Sequence, residues 1–315
     1  MPSQWFAEKD PVMSRRFYTL DVFASEVLAG NPLAVVLDAE GLDDRRMQAI
    51  AREFNLSETV FVRQPAKPGH RASLRIFTPG RELPFAGHPT VGTAVLLAII
   101  DGGGKPGKTA FDLEEKVGVV PCALEVSSTE RGHATFTLPR LPERVGDLPE
   151  KVKLAKGLGI EPGDIGFGAH EPGIYSAGVP FACVPLRNRD AVTRARPEGE
   201  SFDAAFAAVS AGAPNAYVYC ADPLDRAHAY HARMFAPAMG VREDPATGSA
   251  AAAFAGMIMA SDKPGDGEHR YVIEQGDAMG RPSRITLSLS VAGKRLRQAK
   301  IGGQAVIVSE GRLRA

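Results

Sequence analysis

The sequence predicts an α+β protein made of two similar halves, each a set of strands enclosing a central helix. Three observations carry that expectation. The stretch ELPFAGHPTVG, beginning at Glu82, returns in altered form as EDPATGSAAAA, beginning at Glu243. The motifs around the two stretches recur in the same order. Each stretch also runs into a helix-length segment that is apolar on almost every side, as a helix surrounded by other elements must be.

The alignment of the halves is gapless at its centre, setting Glu82 on Glu243, Pro84 on Pro245 and Gly87 on Gly248. Upstream, RIFTP from Arg75 matches RMFAP from Arg233, and AGNPLAVV from Ala29 matches AGVPFACV from Ala177. ETVFV from Glu58 answers NAYVY from Asn215 more faintly. A shared order of motifs is what duplication leaves behind, and chance similarity between two short segments does not require it.

The elements follow along the chain. NPLAVVL from Asn31 is short, apolar and partly β-branched, a strand behind the turn-forming AGNP. DDRRMQAIAREFN places Met47, Ile50, Ala51 and Phe54 at helical spacing, with Asp43 as its cap. SETVFV and ASLRIF read as strands. In HPTVGTAVLLAII, Pro89 suits the first turn of a central helix. Its counterpart, SAAAAFAGMIMA from Ser249, is rich in small residues that permit close packing. PRLPERVGDLPE and SDKPGDGEHR are surface loops or linkers. DGGGKPGKTA is a flexible turn that lacks the residue order of a phosphate-binding loop. The first domain is expected over 14–126, completed by a returning strand in 299–315, and the second over 127–298.

A chain of 315 residues that is 44% hydrophobic can bury the cores of two such domains. Lys plus Arg equals Asp plus Glu at 37 each, so no net field steers the protein toward nucleic acid or an anionic membrane, and neither partner is expected. Cys122, Cys183 and Cys220 are odd in number and lack zinc-site spacing, which points to a reducing cytoplasm and no metal centre. The first dozen residues include Glu8, Lys9 and Asp10 and no apolar core of a secretory signal. No run approaches the roughly 18 apolar residues of a membrane-spanning helix.

Function is sought at the two helix starts. The first N–H groups of a helix lack intrahelical partners, and the helix dipole there favours an anion. Gly87 and Gly248 would let a ligand approach the backbone closely, so facing halves would form a cleft for a small carboxylate-bearing molecule. The plainer alternative is that both motifs only cap and pack buried helices. Departures between the halves sharpen the choice: Leu83 becomes Asp244, His88 becomes Ser249, and Glu58 stands where the second half has Asn215. Glu58, His88 and Asp244 are candidate proton-transfer groups, because carboxylates and imidazole relay protons near neutral pH. Each also has a structural reading, as a solvated strand start, a packed histidine and a turn former before Pro245, while Ser249 can simply cap its helix. HExxH, GxSxG and strand-linked GxGxxG patterns are all missing from the chain.

DVFASEVLAGNPLAVV, NLSETVFV, LRIFTPGRELPFAGHPTVGTA and GVREDPATGSAAAA together resemble the PhzF-like phenazine-biosynthesis family, and EQGDAMGRPSRI and GGQAVIV extend the resemblance over nearly the whole chain. It implies a diaminopimelate epimerase-like fold of two β-barrel-like domains around central helices, with the active cleft between them, and a homodimer. It implies isomerisation of a small carboxylate, trans-2,3-dihydro-3-hydroxyanthranilate in the phenazine enzyme, with no metal or organic cofactor. Carried over by motif, Glu58 is the acid/base that takes a proton from C3 and returns one at C1. His88 positions substrate or relays the proton, and Asp244 is the polar partner across the cleft. Gly87, Gly248 and Ser249 bind the carboxylate. Related epimerases and racemases place paired cysteines where this chain has Ala86 and Thr247, so a two-thiol mechanism is not available to it. Non-thiol epimerisation, or a small-metabolite binding or regulatory role, stand as alternatives.

Overall fold

A computed structural model describes residues 14–210 and 212–315. The stretch with Glu8, Lys9 and Asp10, on which the expectation about a secretory signal rests, lies outside the described residues.

The first half runs β1 (Ser14–Val22), β2 (Asn31–Val36), α1 (Asp44–Phe54), β3 (Glu58–Arg63), β4 (Ala72–Phe77), β5 (Glu82–Leu83), α2 (Gly87–Asp101), β6 (Gly107–Glu115), β7 (Gly118–Val126) and β8 (Arg131–Thr137). There follow β9 (Glu143–Gly146), α3 (Lys151–Leu158), β10 (Gly173–Ser176), β11 (Pro180–Pro185), α4 (Arg189–Arg194), α5 (Gly199–Phe206), β12 (Ala216–Cys220), β13 (Tyr230–Ala236) and β14 (Val241–Asp244). The chain ends with α6 (Gly248–Ser261), β15 (Gly267–Gln275), β16 (Ser283–Ala292) and the long β17 (Arg295–Arg314).

The duplication is visible strand for strand. In the first half β2 pairs parallel with β3, β3 antiparallel with β4, and β4 antiparallel with β5 and parallel with β6. In the second, β11 pairs parallel with β12, β12 antiparallel with β13, and β13 antiparallel with β14 and parallel with β15. Antiparallel β6–β7–β8 is matched by antiparallel β15–β16–β17.

One strand serves both halves. The opening of β17 pairs with β16, its middle with β8, and its end with β1, which also pairs with β2. These pairings close the first barrel around α2. They also move the division between halves: β8 is hydrogen-bonded to β7 and β17 and packs on α2, so the first barrel takes in residues beyond the expected boundary at 126. β17 likewise begins its pairing in the second half at Arg295, not at 299.

Both central helices are where their composition demands. Every residue from Gly87 to Ile99 is buried in α2, and Ala250 to Ile258 are buried in α6. Helix α1, by contrast, is amphipathic: Met47, Ile50 and Ala51 face the core, Asp43 accepts from the Arg46 N–H at 2.7 Å, and Phe54 meets Phe17 edge to face at 5.2 Å. No described helix is long and apolar enough to cross a membrane.

Candidate active site

The two aligned helix starts meet. A Cβ placed on Gly87 would lie 2.9 Å from the Gly248 Cα, and one on Gly248 would lie 3.1 Å from the Gly87 Cα, so only glycine at both positions allows the backbones this approach. Beside the crossing is a cavity of about 520 Å³ between the halves, bordered by Glu58, Leu83 and Ala86 from one and Asn215, Asp244, Thr247 and Ser249 from the other. Most of the remaining wall is apolar, including Phe85, Phe181 and Met234.

The candidate residues occupy distinct places in this arrangement. Glu58, Asp244 and Ser249 line the cavity. His88 is buried behind Glu58, with its Nε2 at 3.2 Å from Glu58 Oε2. Neither of those two atoms has a hydrogen bond with good geometry among the described residues, so the pair is in contact but not locked. Gly87 and Gly248 form the crossing itself. Ala86 and Thr247 both line the cavity, while Cys122, Cys183 and Cys220 are buried elsewhere and burial pushes each thiol up.

Local structure explains how the groups are held. Glu58 opens β3 in register with Leu33 of β2, next to Pro32, whose backbone carbonyl favours the charged form of the His88 ring. Asp244 ends β14 in a turn tied from several sides. Asn31 Nδ2 donates to Asp244 Oδ1 and to the Ala246 carbonyl, both at 2.9 Å. Thr247 Oγ1 donates to Asp244 Oδ2 at 2.5 Å, and Gln275 Nε2 donates to the Asp244 carbonyl at 2.7 Å. Gly276 follows Gln275 with φ +81°, and a Cβ there would lie 2.5 Å from the Pro245 carbonyl, so the chain needs glycine to pass so near the turn.

Burial sets the proton affinities. It raises the Glu58 carboxyl well above the ordinary range, and the nearby Asp244 charge adds to the shift. Asp244 is raised to about 6 by burial, with donors from Thr247, Asn31 and Ser57 opposing. Burial lowers His88 to about 3, with the Pro32 contact opposing. Burial thus works against the charged form of each group: the imidazole stays uncharged near neutral pH, and the carboxyl's affinity for a proton is raised. Such a group can both accept and return a proton.

Asn31, Thr247 and Gln275 are parts of the site that sequence reasoning left without a role. For Asn31 a signal existed: AGNP becomes AGVP in the second half, a polar departure inside a repeat, as at Leu83 and Asp244.

A second cluster of potential ligands, His231, Glu274 and Asp277, has donor atoms within 4.8 Å of one another. Its capacity is already used. Glu274 accepts from the Leu224 and Asp225 N–H groups at 2.6 and 2.8 Å and contacts His228 Nδ1 at 2.7 Å, while Arg284 pairs with Asp277 at 3.3 Å. Glu114 repeats the pattern in the first half, accepting from the Ala66 and Lys67 N–H groups and contacting His70 Nδ1. The arrangement is a loop staple inherited by both halves.

A two-barrel fold with a carboxyl-bearing cleft at the meeting of its central helices defines an isomerase of the diaminopimelate epimerase-like fold. The chain belongs to the phenazine biosynthesis-like protein family, PhzC-PhzF, which matches it over residues 20–311. It is 48% identical to an uncharacterized isomerase of Mesorhizobium japonicum, over 96% of this chain and 99% of the other. It is 36% identical to the trans-2,3-dihydro-3-hydroxyanthranilate isomerase of Pseudomonas aeruginosa, over 94% of this chain and 98% of that one. A crystal structure of the Bacillus anthracis phenazine biosynthesis protein, PhzF family, superposes with a TM-score of 0.83 at 28% identity, covering 96% of this chain and 99% of that one.

Proposed function

We propose that this isomerase moves a proton within a small carboxylate substrate through Glu58, without a metal or organic cofactor, and that trans-2,3-dihydro-3-hydroxyanthranilate is the substrate to test first. The observation that carries the reading is the Glu58 carboxyl itself: it faces a closed-in cavity, touches neutral His88 and shares its surroundings with Asp244.

On this substrate, ionised Glu58 takes the proton as the C3–H bond breaks. The released electron pair moves through the intervening π system, and a C–H bond forms at C1 with a proton returned by Glu58 after its carboxyl has exchanged with solvent. His88 steadies the Glu58 carboxyl and substrate, and Asp244 is the polar partner from the other half. The Ser249 hydroxyl and N–H groups at the start of α6 hold the substrate carboxylate, with Gly87 and Gly248 keeping the backbone close enough. The apolar wall accommodates the carbon ring. A homodimer, implied by the family resemblance, and a cytoplasmic location, in keeping with three free cysteines, complete the proposal.

The test is conversion in D2O by metal-stripped protein, followed by mass and NMR analysis of the product. Isomerisation with deuterium entering at C1 supports the reading. Conversion that returns only with one added metal overturns the metal-free mechanism, and conversion of other small carboxylates but not this one redirects the substrate.

A further inference from the structure

The duplication maps Asn31 onto Val179 and Asp244 onto Leu83. Across the cleft in one direction the two halves therefore present a polar pair, Asn31 with Asp244. In the opposite direction the equivalent positions are apolar, and both Val179 and Leu83 line the cavity. The polar pair is joined by a direct hydrogen bond between residues 213 apart in sequence.

We propose that Asn31 is a positioning residue for the isomerisation: its amide fixes the Asp244 carboxylate in the cleft and thereby makes one of two equivalent faces the reacting face. The proposal rests on the reading of Asp244 given above. Asn31 is completely buried, and its Nδ2 makes both of its bonds to the other half, to Asp244 Oδ1 and the Ala246 carbonyl. Its Oδ1 has no partner among the described residues. A buried acceptor left open is unfavourable, so the retained value of this side chain is in what its N–H groups hold. The division of labour around Asp244 is clean. Thr247 and Ser57 serve the carboxylate from its own half and from beside Glu58, Gln275 holds the Asp244 backbone, and the neighbouring Glu243 is occupied by Arg233 at 2.8 Å. Asn31 is the donor to Oδ1 that comes from the other half at 2.9 Å.

Asn31→Val copies the residue at the equivalent position of the second half and leaves the Gln275 anchor intact. Expected is a tenfold or greater fall in kcat with KM changed by less than about threefold. The acidic limb of kcat/KM should move to higher pH, because Asp244 loses a donor that favours its charged form. A double-mutant cycle with Asp244→Asn supplies the decisive readout: once Asp244 is replaced, Asn31→Val should cost little more. Additive losses in the cycle, or wild-type kcat and pH profile in Asn31→Val, overturn the inference while the Asp244 reading stands if Asp244→Asn is itself impaired. Wild-type turnover in Asp244→Asn overturns that reading instead. Thermal unfolding accompanies each variant, and if Asn31→Val fails to fold, the same cycle is read on Asn31→Ala, which removes the donor with a smaller side chain.

Discussion

His88 Nε2 sits 3.2 Å from Glu58 Oε2, and burial drives the two groups' proton affinities in opposite directions, the imidazole down to about 3 and the carboxyl well up. Because burial works against the charged form of each, the contact does not lock the carboxyl into an ion pair and leaves it free to exchange a proton with a third molecule. A buried, charged pair would resist that exchange.

Replacement of Glu58 by Gln tests the first consequence. The amide keeps the size and reach of the side chain but cannot take up and return a proton. Turnover should fall by roughly a hundredfold or more, the usual contribution of a placed acid/base group. Ligand binding and thermal unfolding, measured on the same preparation, should change far less. Near-wild-type turnover would remove Glu58 from the mechanism.

His88 should make folding sensitive to acid. Its imidazole titrates near 6.5 when unfolded and at about 3 in the fold, so below pH 6.5 the unfolded chain binds a proton that the native chain refuses. Its contribution to stability is present above pH 6.5 and is lost as pH falls toward 3, at up to about 1.4 kcal/mol per pH unit. Denaturant titrations from pH 7 to 4 should show a shallower decline in His88→Asn than in the parent. Equal slopes would mean that His88 is charged in the fold.

These residues differ in how well the sequence announced them. His88 and Asp244 stand beside glycine or proline in motifs that repeat, and Glu58 opens the strand-like ETVFV, so local pattern and resemblance reach all three. The contact of Asn31 with Asp244 is different, because it joins the two halves and no periodicity within either one reports it. The same limit explains β8. Its alternating pattern establishes a strand, but only the pairings to β7 and β17 assign it to the first barrel. The two glycines were legible as helix starts, while their contact required the packed structure.

That contact predicts a disproportionate effect of one methyl group. In Gly87→Ala the new Cβ would meet the Gly248 Cα at 2.9 Å and its carbonyl carbon at 3.0 Å, and backbone cannot step aside as a flexible side chain does. A loss of about 1–3 kcal/mol in stability is expected from such overpacking. Because the displaced elements carry the cavity wall, kcat/KM should fall further than stability explains. Gly265→Ala, where nothing lies within 4 Å, is the control for the methyl group itself. Equal behaviour of the two variants in thermal unfolding and steady-state kinetics would show that the helix starts tolerate separation.

The last residue of β6, Glu115, stands at the place occupied in the second half by Gln275, the last residue of β15. Gln275 uses its amide to anchor the start of α6, accepting from the Thr247 N–H at 3.2 Å. Glu115 does its equivalent work near α2 with Oε1 at 2.7 Å from Thr90 Oγ1, while Oε2 is buried without a partner among the described residues. Burial raises this carboxyl to about 8, against an ordinary value of 4.5, with the Thr90 hydroxyl opposing. The fold thus keeps it protonated, and unfolding at neutral pH releases that proton. Its contribution to stability is full below pH 4.5 and is lost as pH rises through about 8. Glu115→Gln installs a neutral side chain of the same length, as the second half already has. It should stabilise the protein increasingly as pH rises from 5 to 8, by up to about 1.4 kcal/mol per pH unit over that window. Activity measured at pH 6 should change little, because Glu115 does not line the cavity. The check is the difference in unfolding free energy between variant and parent at pH 5, 6.5 and 8; a difference that stays constant across the three would show that Glu115 is ionised in the fold and that its environment is more polar than its burial implies.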